Sequence, residues 1–332
     1  MPIRVMPVGL GPIGAGIVRQ IAGRKAFRLV GAVDIALEKI GRDLGEVCEV
    51  GRRLRVPVSD QIGRTIRDTK PDVAVLCTGS SLRSVESTFE AVLKQKVPIV
   101  STTEELAYPV KANRATARRI DALAKRARVA VAGTGVNPGF AMDALPIALT
   151  AVCERVTSVG VDRIQDASRR RLPFQQKIGA GLSPAEFRAR VDAGGVRHVG
   201  LAESISMIAD ALGWKLDRIT DEVRPRIATA TVSSQFLSVA RGQAAGLIQD
   251  GIGYRKDAAV ITLHMEAYLG APESYDAVRI AGSPPIDMRI EGGLHGDIAT
   301  ASMVVNAIPA VIDADPGLQT MRNLRLPSFF AG

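Results

Sequence analysis

Two glutamates end a short apolar run in VPIVSTTEELAYP, residues 97–109. A carboxylate at the end of a strand can serve as a general base or can cap a helix, and the spacing here allows both. Ser101 with Glu104, and Thr102 with Glu105, each match the Ser/Thr-x-x-Glu capping box. Pro109 follows closely and disfavours a helical Tyr108, which leaves hardly a helix to cap. Glu104 is therefore read as the chemical group and Glu105 as a cap.

A second constellation stands at the start of the chain. IRVMPVGLGPIGAGIV sets an apolar strand, Ile3 to Val8, directly before Gly9-x-Gly11-x-x-Gly14, and Ile13, Ile17, Val18 and Ile21 continue as a helix. The next apolar run ends in Asp34, about 20 residues past the last glycine, which is the spacing of a dinucleotide site. Gly9 permits the tight turn, Gly11 a close approach of backbone to pyrophosphate, and Gly14 close packing of helix on strand. Pro12 and Ile13 open the helix, whose N-terminal N–H groups face the phosphates. Asp34 accepts from an adenosine ribose and repels a 2′-phosphate, so NAD is the first choice. Lys39 and Arg42 lie within reach to swing in, which keeps NADP open.

These residues need a frame. PDVAVLCTGSS is a buried strand ending in Thr78, Gly79 and Ser80; VPIVS ends at Thr102; RVAVAGTGVNPGF ends at Thr134 and Asn137. Strand and helix alternate with short loops, which gives a doubly wound parallel sheet with one crevice along its strand ends. After Phe140 the alternation stops. ERVTSVGVDRIQD, RIATATVSSQF, DAAVITLHMEAYLG and YDAVRIAGSPPIDMRIEGG read as longer alternating strands, with helices in SPAEFRARVDAG and LAESISMIADALGW. The fold class is α/β: a Rossmann-type domain, 1–140, completed by an apolar C-terminal segment, 297–332, and a second α+β domain, 141–296, on an open antiparallel or mixed sheet. Such a sheet is expected to pair two copies into a homodimer.

Composition narrows the classes. The chain has 332 residues, enough for two domains, with 46% hydrophobic and 23% charged residues. Its net charge of +9 could attract nucleic acid, but aromatics are only 4%. In KANRATARRIDALAKRAR the residues Ala117, Ile120, Leu123, Ala124 and Ala127 share one face and leave the basic side chains outward, as on a solvated helix. Cys48, Cys77 and Cys153, and likewise the three histidines, are dispersed, which gives no metal spacing and fits a reducing, cytoplasmic setting. No stretch is apolar enough to span a membrane.

VGLGPIGAG, STTEELAYP, GTGVNPGF, RRLPFQQKIGAG and NAIPAVIDADPGLQTMRNL together resemble the 2,4-diaminopentanoate dehydrogenases and the related native amine dehydrogenases, whose N-terminal domain is dihydrodipicolinate-reductase-like. The resemblance covers nearly the whole chain. It implies NAD(P)-dependent, reversible oxidative deamination of an amine lacking an α-carboxylate, or reductive amination of a ketone or aldehyde with ammonia. It sets Glu104 at the family's catalytic glutamate. It sets Phe140, Arg163, Gln165, His198 and His264 at the substrate pocket, and it favours Phe174 there too. On the last helix, Asn306 is placed at the nicotinamide amide or as a cap, with Thr300 beside it on the substrate side.

Chemistry points the same way. Amination passes through a carbinolamine and a cationic iminium, and a carboxylate can take the proton and pair with the cation. Alcohol-forming enzymes need an acid that TTEEL does not offer. Three alternatives stay open: His198 and His264 as satisfied core histidines, Phe140 and Phe174 as core residues, and Arg169, Arg170 and Arg171 as a solvated loop. Two other activities compete with the leading one. One is a different nicotinamide enzyme of this architecture, of homoserine- or dihydrodipicolinate-type; the other is a basic, nucleic-acid-binding regulator.

Overall fold

Short runs of β-branched and small apolar residues, each closed by glycine or a small polar residue, build the first sheet. The computed structural model describes residues 1–331 and divides into two units, Met1–Phe140 with the chain from His295 onward, and Ala141–Leu294. The return to the first unit falls just before the 296/297 division read from the sequence.

In the first unit the strands are β1 (Ile3–Val8), β2 (Phe27–Leu29), β3 (Ala32–Val33), β4 (Val58–Ser59), β5 (Val73–Leu76), β6 (Ile99–Ser101) and β7 (Ala130–Gly133). The helices between them are α1 (Pro12–Ala22), α2 (Leu44–Val47), α3 (Ile62–Thr69), α4 (Leu82–Leu93) and α5 (Arg114–Ala127). The sheet runs β7-β6-β5-β1-β3-β4 with every pairing parallel, and β2 also pairs with β1. Met6, Leu76, Phe89, Ile99 and Ile120 are fully buried between sheet and helices. On α5 the residues Ala117, Ile120 and Ala124 are buried, while Arg118, Lys125 and Arg126 stay exposed and Arg119 pairs with Glu86.

The second unit contains α6 (Ala144–Thr150), β8 (Arg155–Asp166), α7 (Leu172–Lys177), α8 (Pro184–Asp192), α9 (Leu201–Ala211) and seven further strands. These are β9 (Arg218–Ile227), β10 (Val232–Ser233), β11 (Ser238–Val239), β12 (Ala244–Arg255), β13 (Ala258–Tyr268), β14 (Tyr275–Ser283) and β15 (Ile286–Glu291). Six strands form a mixed sheet in the order β15-β14-β8-β13-β12-β9, with only β8 and β13 parallel. Helix α9 covers one face, and Gly251 and Gly253 let it lie close: a Cβ on Gly251 would stand 3.0 Å from Ile205 Cδ1.

Two strand assignments differ from the sequence reading. RIATATVSSQF is not one strand; β9 lies earlier and ends at Ile227, with Pro225 tolerated because β9 is an edge strand. QAAGLIQDGIGYR, which the sequence pattern does not mark as a strand, supplies β12, its signal diluted by Gly246, Gly251 and Gly253. The chain then re-enters the first unit as α10 (Gly296–Ile312), packed on α1, and β16 (Gly317–Gln319), parallel to β7. Gln20 Nε2 donates to Ser302 Oγ at 3.0 Å across α1 and α10.

Candidate active site

The parallel register fixes the crevice. Val8 pairs with both Val33 and Leu76, Leu76 with Ser101, and Ser101 with Gly133. The next residues, Gly9, Asp34, Cys77, Thr102 and Thr134, therefore leave the sheet along one edge. Strand order reverses between β1 and β5, the switch point where such sheets take ligands.

At that point the glycine turn is shaped by exclusion. Gly9 has φ +88°, and a Cβ there would meet Cys77 O at 2.6 Å. A Cβ on Gly14 would stand 2.0 Å from Gly9 O, whereas one on Gly11 would meet nothing within 4 Å. Space is thus open at the middle glycine alone. Helix α1 begins there with Pro12 in its first turn, no side-chain cap and no acid in that turn. Its N-terminal N–H groups remain for an anion. The cradle fits a dinucleotide.

Asp34 is more engaged than the sequence suggested. Its Oδ2 accepts from Leu10 N at 2.6 Å and from Lys39 Nζ at 3.0 Å, and its Oδ1 from Ala36 N at 2.9 Å. Burial works to raise its pKa, but the Ala36 and Leu10 amides and the Lys39 ammonium outweigh it and hold the carboxylate below its ordinary value. The acid thus also fastens the glycine turn to the end of β3. Of the two cations expected within reach, Lys39 has swung in; Arg42 instead donates to Glu46 Oε1 at 2.8 Å.

The end of β5 carries Thr78, exposed, with Gly79 and Ser80 half-buried, and Thr102 at the end of β6 is half-buried. Thr102 donates a hydrogen bond through its amide to Leu76 O at 3.0 Å. Burial pushes the neighbouring Cys77 thiol up to about 12.

Glu104 begins a single 3-10 turn, Glu104–Leu106, which holds no side-chain cap on its first residue. Ser101 Oγ, the other half of the Ser101–Glu104 capping-box match, is occupied by Leu76 O and Thr103. The turn is pressed on β7 at Gly133, where a Cβ would stand 2.8 Å from Ala107 N, and Leu106 is fully buried. Glu105 does cap, but across the chain: its Oε2 accepts from Leu82 N at 2.7 Å, in the first turn of α4. Its amide donates to Ser80 O at 3.3 Å. Glu104, half-buried, is thereby carried at the crevice edge on a turn fixed from three sides.

Thr134, one strand further, is 3% exposed, and its hydroxyl has no partner among the described residues. The sequence marks it as a strand end, and its level with Thr102 is the one signal there of a place at the site. The following turn carries Asn137 and Phe140, both half-buried, and Thr300 Oγ1 of α10 accepts from Val136 N at 3.3 Å. Asn306 must be corrected. Its Oδ1 accepts from Arg24 Nη1 at 2.6 Å and from Phe330 N at 3.3 Å, beyond the C-terminal end of α1 and away from the crevice. Six residues along the helix from Thr300 carry it about 9 Å further.

In the second unit the expected substrate residues separate. Arg163, 2% exposed, pairs with Asp276 at 2.5 Å and donates to Leu294 O at 2.8 Å. Gln165 donates to the same carbonyl at 3.3 Å, and Asp276 accepts from Leu294 N at 2.7 Å. Arg163 is thus a structural ion pair that pins Leu294, not a free substrate cation. Arg170 is buried over the Phe174 ring at 4.1 Å, so the arginine run is not a uniformly solvated loop; only Arg169 is exposed.

The two histidines lie on opposite sheet faces. Gln249 exchanges hydrogen bonds with the His198 backbone, at 2.7 and 2.9 Å, on the α9 side. Asp250, the next residue, points the other way and meets His264 Nδ1 at 2.6 Å. His264 Nε2 meets Glu266 at 3.2 Å, so carboxylates hold both ring nitrogens on the open face. That corrects the expectation of His264 beside Arg163 and Gln165. His198 Nε2 is covered and has no partner among the described residues, and burial pushes its pKa down to about 3. No group of three or more His, Cys, Asp or Glu is placed to hold a metal, and no helix is long and apolar enough to cross a membrane, among the described residues.

With this geometry in view, comparison with known proteins is specific. The sequence model of the 2,4-diaminopentanoate dehydrogenase C-terminal domain matches residues 140–332, and that of the dihydrodipicolinate reductase N-terminus matches residues 3–134. A 2,4-diaminopentanoate dehydrogenase of Acetoanaerobium sticklandii is 33% identical over 99% of this chain and 95% of its own length. An amine dehydrogenase of Streptomyces virginiae is 24% identical, covering 93% of this chain and 92% of its own length. The solved amine dehydrogenase of Mycobacterium smegmatis, 24% identical, shares the fold with a TM-score of 0.88 over 100% of this chain and 98% of its own. The chain belongs to the 2,4-diaminopentanoate dehydrogenase family of oxidoreductases.

Proposed function

We propose that the protein is an NAD(P)-dependent amine dehydrogenase, interconverting an amine without an α-carboxylate and a ketone or aldehyde plus ammonia. One observation carries the reading: Glu104 stands on a braced turn after β6, on the strand-end edge that also holds the Gly9–Gly14 cradle. Gly9, Gly11, Pro12, Ile13 and Gly14 hold the pyrophosphate, and Asp34 the adenosine ribose. Thr78, Gly79, Ser80, Thr102 and Asn137 line the nicotinamide side. When bound, the nicotinamide supplies or accepts the hydride.

The chain's own residues manage protons and charge. In amination Glu104 takes a proton from ammonium, so that the free ammonia can attack the carbonyl carbon and give a carbinolamine. Glu104 returns that proton to the carbinolamine hydroxyl, which leaves as water and gives an iminium cation, and the regenerated carboxylate sets its negative charge against the cation. Phe140 and Thr300 flank the turn after β7 and shape the substrate side. In the second unit we assign His198, a neutral imidazole whose covered Nε2 has no partner among the described residues, to the substrate side.

NAD is the first-choice cofactor, with NADP accepted. The second unit binds substrate and, through the open face of its sheet, forms a two-fold dimer. On that face Arg279 pairs with Asp162 and Arg224 with Asp250. Three dispersed thiols fit a cytoplasmic enzyme. Light scattering at micromolar concentration should give twice the chain mass; a monomer contradicts the dimer. The function itself is tested by following nicotinamide reduction with short amines, diamines, amino acids and alcohols. Turnover of amines but not alcohols is expected, and the reverse selectivity refutes the proposal.

A further inference from the structure

His198 lies in the loop between α8 and α9, a stretch with little to fix its own shape. Gly194 and Gly200 stand on either side at φ +74° and +122°, and no helix or strand covers residues 194–200. No hydrogen bond holds the ring among the described residues, and its Nε2 is covered without a partner. The imidazole is therefore placed through the backbone that carries it.

That backbone has one partner. Gln249 of β12, fully buried, accepts from His198 N through Oε1 at 2.7 Å and donates to His198 O through Nε2 at 2.9 Å. Among the described residues nothing else bonds the His198 amide or carbonyl. The side chain cannot be reversed, because Nε2 also donates to Asp221 Oδ1 at 2.7 Å and only the amide nitrogen can serve two acceptors. Asp221 Oδ2 in turn accepts from Arg197 Nη2 at 2.6 Å, so consecutive loop residues are tied to β12 and β9. One residue's N–H and C=O call for an acceptor and a donor side by side, which a primary amide supplies and a carboxylate or alkyl chain does not.

We propose that Gln249 is a positioning residue for the reaction: gripping the His198 backbone at both its amide and its carbonyl, it sets the imidazole on the substrate side of the second unit. This rests on the amine dehydrogenase reading above and on the place of His198 in it, and adds the residue that holds His198 there. The same grip keeps the ring from water; burial, with Lys177, Arg163 and Arg197 nearby, pushes the His198 pKa down to about 3.

The test compares full-length wild type, Gln249→Met, His198→Ala and the double variant. Amination of propanone, butanone, propanal and butanal with ammonium is followed as NADH oxidation. Gln249→Met keeps length and bulk but removes both bonds, so KM for the carbonyl should rise about tenfold or more with a smaller change in kcat. The double variant should be no weaker than His198→Ala, since both changes remove the same placed ring. NADH binding and circular dichroism should match wild type. In NMR of histidine-labelled protein, the ring signal that His198→Ala deletes should stay constant from about pH 8 to 5 in wild type and should titrate in Gln249→Met. If Gln249→Met does not fold, Gln249→Asn, one methylene short of keeping both bonds, is read by the same criteria. An unchanged KM, an effect that adds in full to that of His198→Ala, normal turnover by His198→Ala, or a ring that still does not titrate overturns the proposal. Absence of any amination by wild type fails the activity reading instead, and the ring titration, which needs no turnover, still decides whether Gln249 holds His198.

Discussion

Glu105 Oε2 accepts from Leu82 N at 2.7 Å, tying the turn after β6 to the first turn of α4. Two adjacent glutamates are thereby divided between duties. One is spent on a neighbouring helix, and its bond holds the turn on which the other stands. Glu105→Ala should cost about 0.5–2 kcal/mol, through the lost cap and the lost charge at the α4 N-terminus. A drop of about 2–4 °C in melting temperature per kcal/mol, measured calorimetrically, is expected. Unchanged melting would mean that the bond contributes nothing.

Asp34→Ala removes repulsion of a 2′-phosphate and frees Lys39, so the preference should move toward NADPH. It also leaves Leu10 N without its partner and loosens the glycine turn. Both dinucleotides should therefore bind more weakly than to wild type, with NADH losing more. Titration of both cofactors decides it; a ratio that stays put removes Asp34 from ribose recognition.

The buried Arg163–Asp276 pair predicts strong non-additivity. Replacing Arg163 with Met alone strands a buried carboxylate and should cost about 3–5 kcal/mol in denaturant unfolding. Adding Asp276→Asn removes that stranded charge, so the double variant should be more stable than Arg163→Met. Equal or lower stability in the double variant would show that Asp276 matters mainly through its bond to Leu294 N.

His198 gives a pH signature. Burial holds its pKa near 3 in the folded chain, against 6.5 for a free imidazole. Between those values the unfolded chain binds a proton that the native chain does not, so stability from this group is complete above about 6.5 and falls with acidification toward 3. His198→Gln should flatten the decline of melting temperature between roughly pH 6.5 and 4. An unaltered slope would place the titration elsewhere.

Much of the first unit was legible because its signals are local. Gly9, Gly11, Gly14 and Asp34 obey a spacing set by one turn and one helix, and the structure brings them together. Asn306 was misplaced because helix phase cannot say how far along its neighbour a helix slides. The face of His264 is not legible in the sequence because the strand beside β13 is undetected, and the partner of Arg163, Asp276, becomes visible only through the register of β8 with β14. The glycine-rich β12, whose Gln249 and Asp250 separate His198 from His264, was the strand left unseen. The sequence puts Lys39 and Arg42 alike within reach of Asp34, and only tertiary packing decides that Lys39 makes the contact.

The most direct test concerns Glu104. Glu104→Gln keeps the side chain's size but removes both base and charge. Reductive amination, followed as NADH oxidation with a carbonyl substrate and ammonia, should fall about 10²-fold or more, in line with general-base contributions. NADH should still bind, and the melting temperature should stay close to wild type, with Glu105→Gln as the control that retains turnover. Near-normal amination by Glu104→Gln would contradict the mechanism.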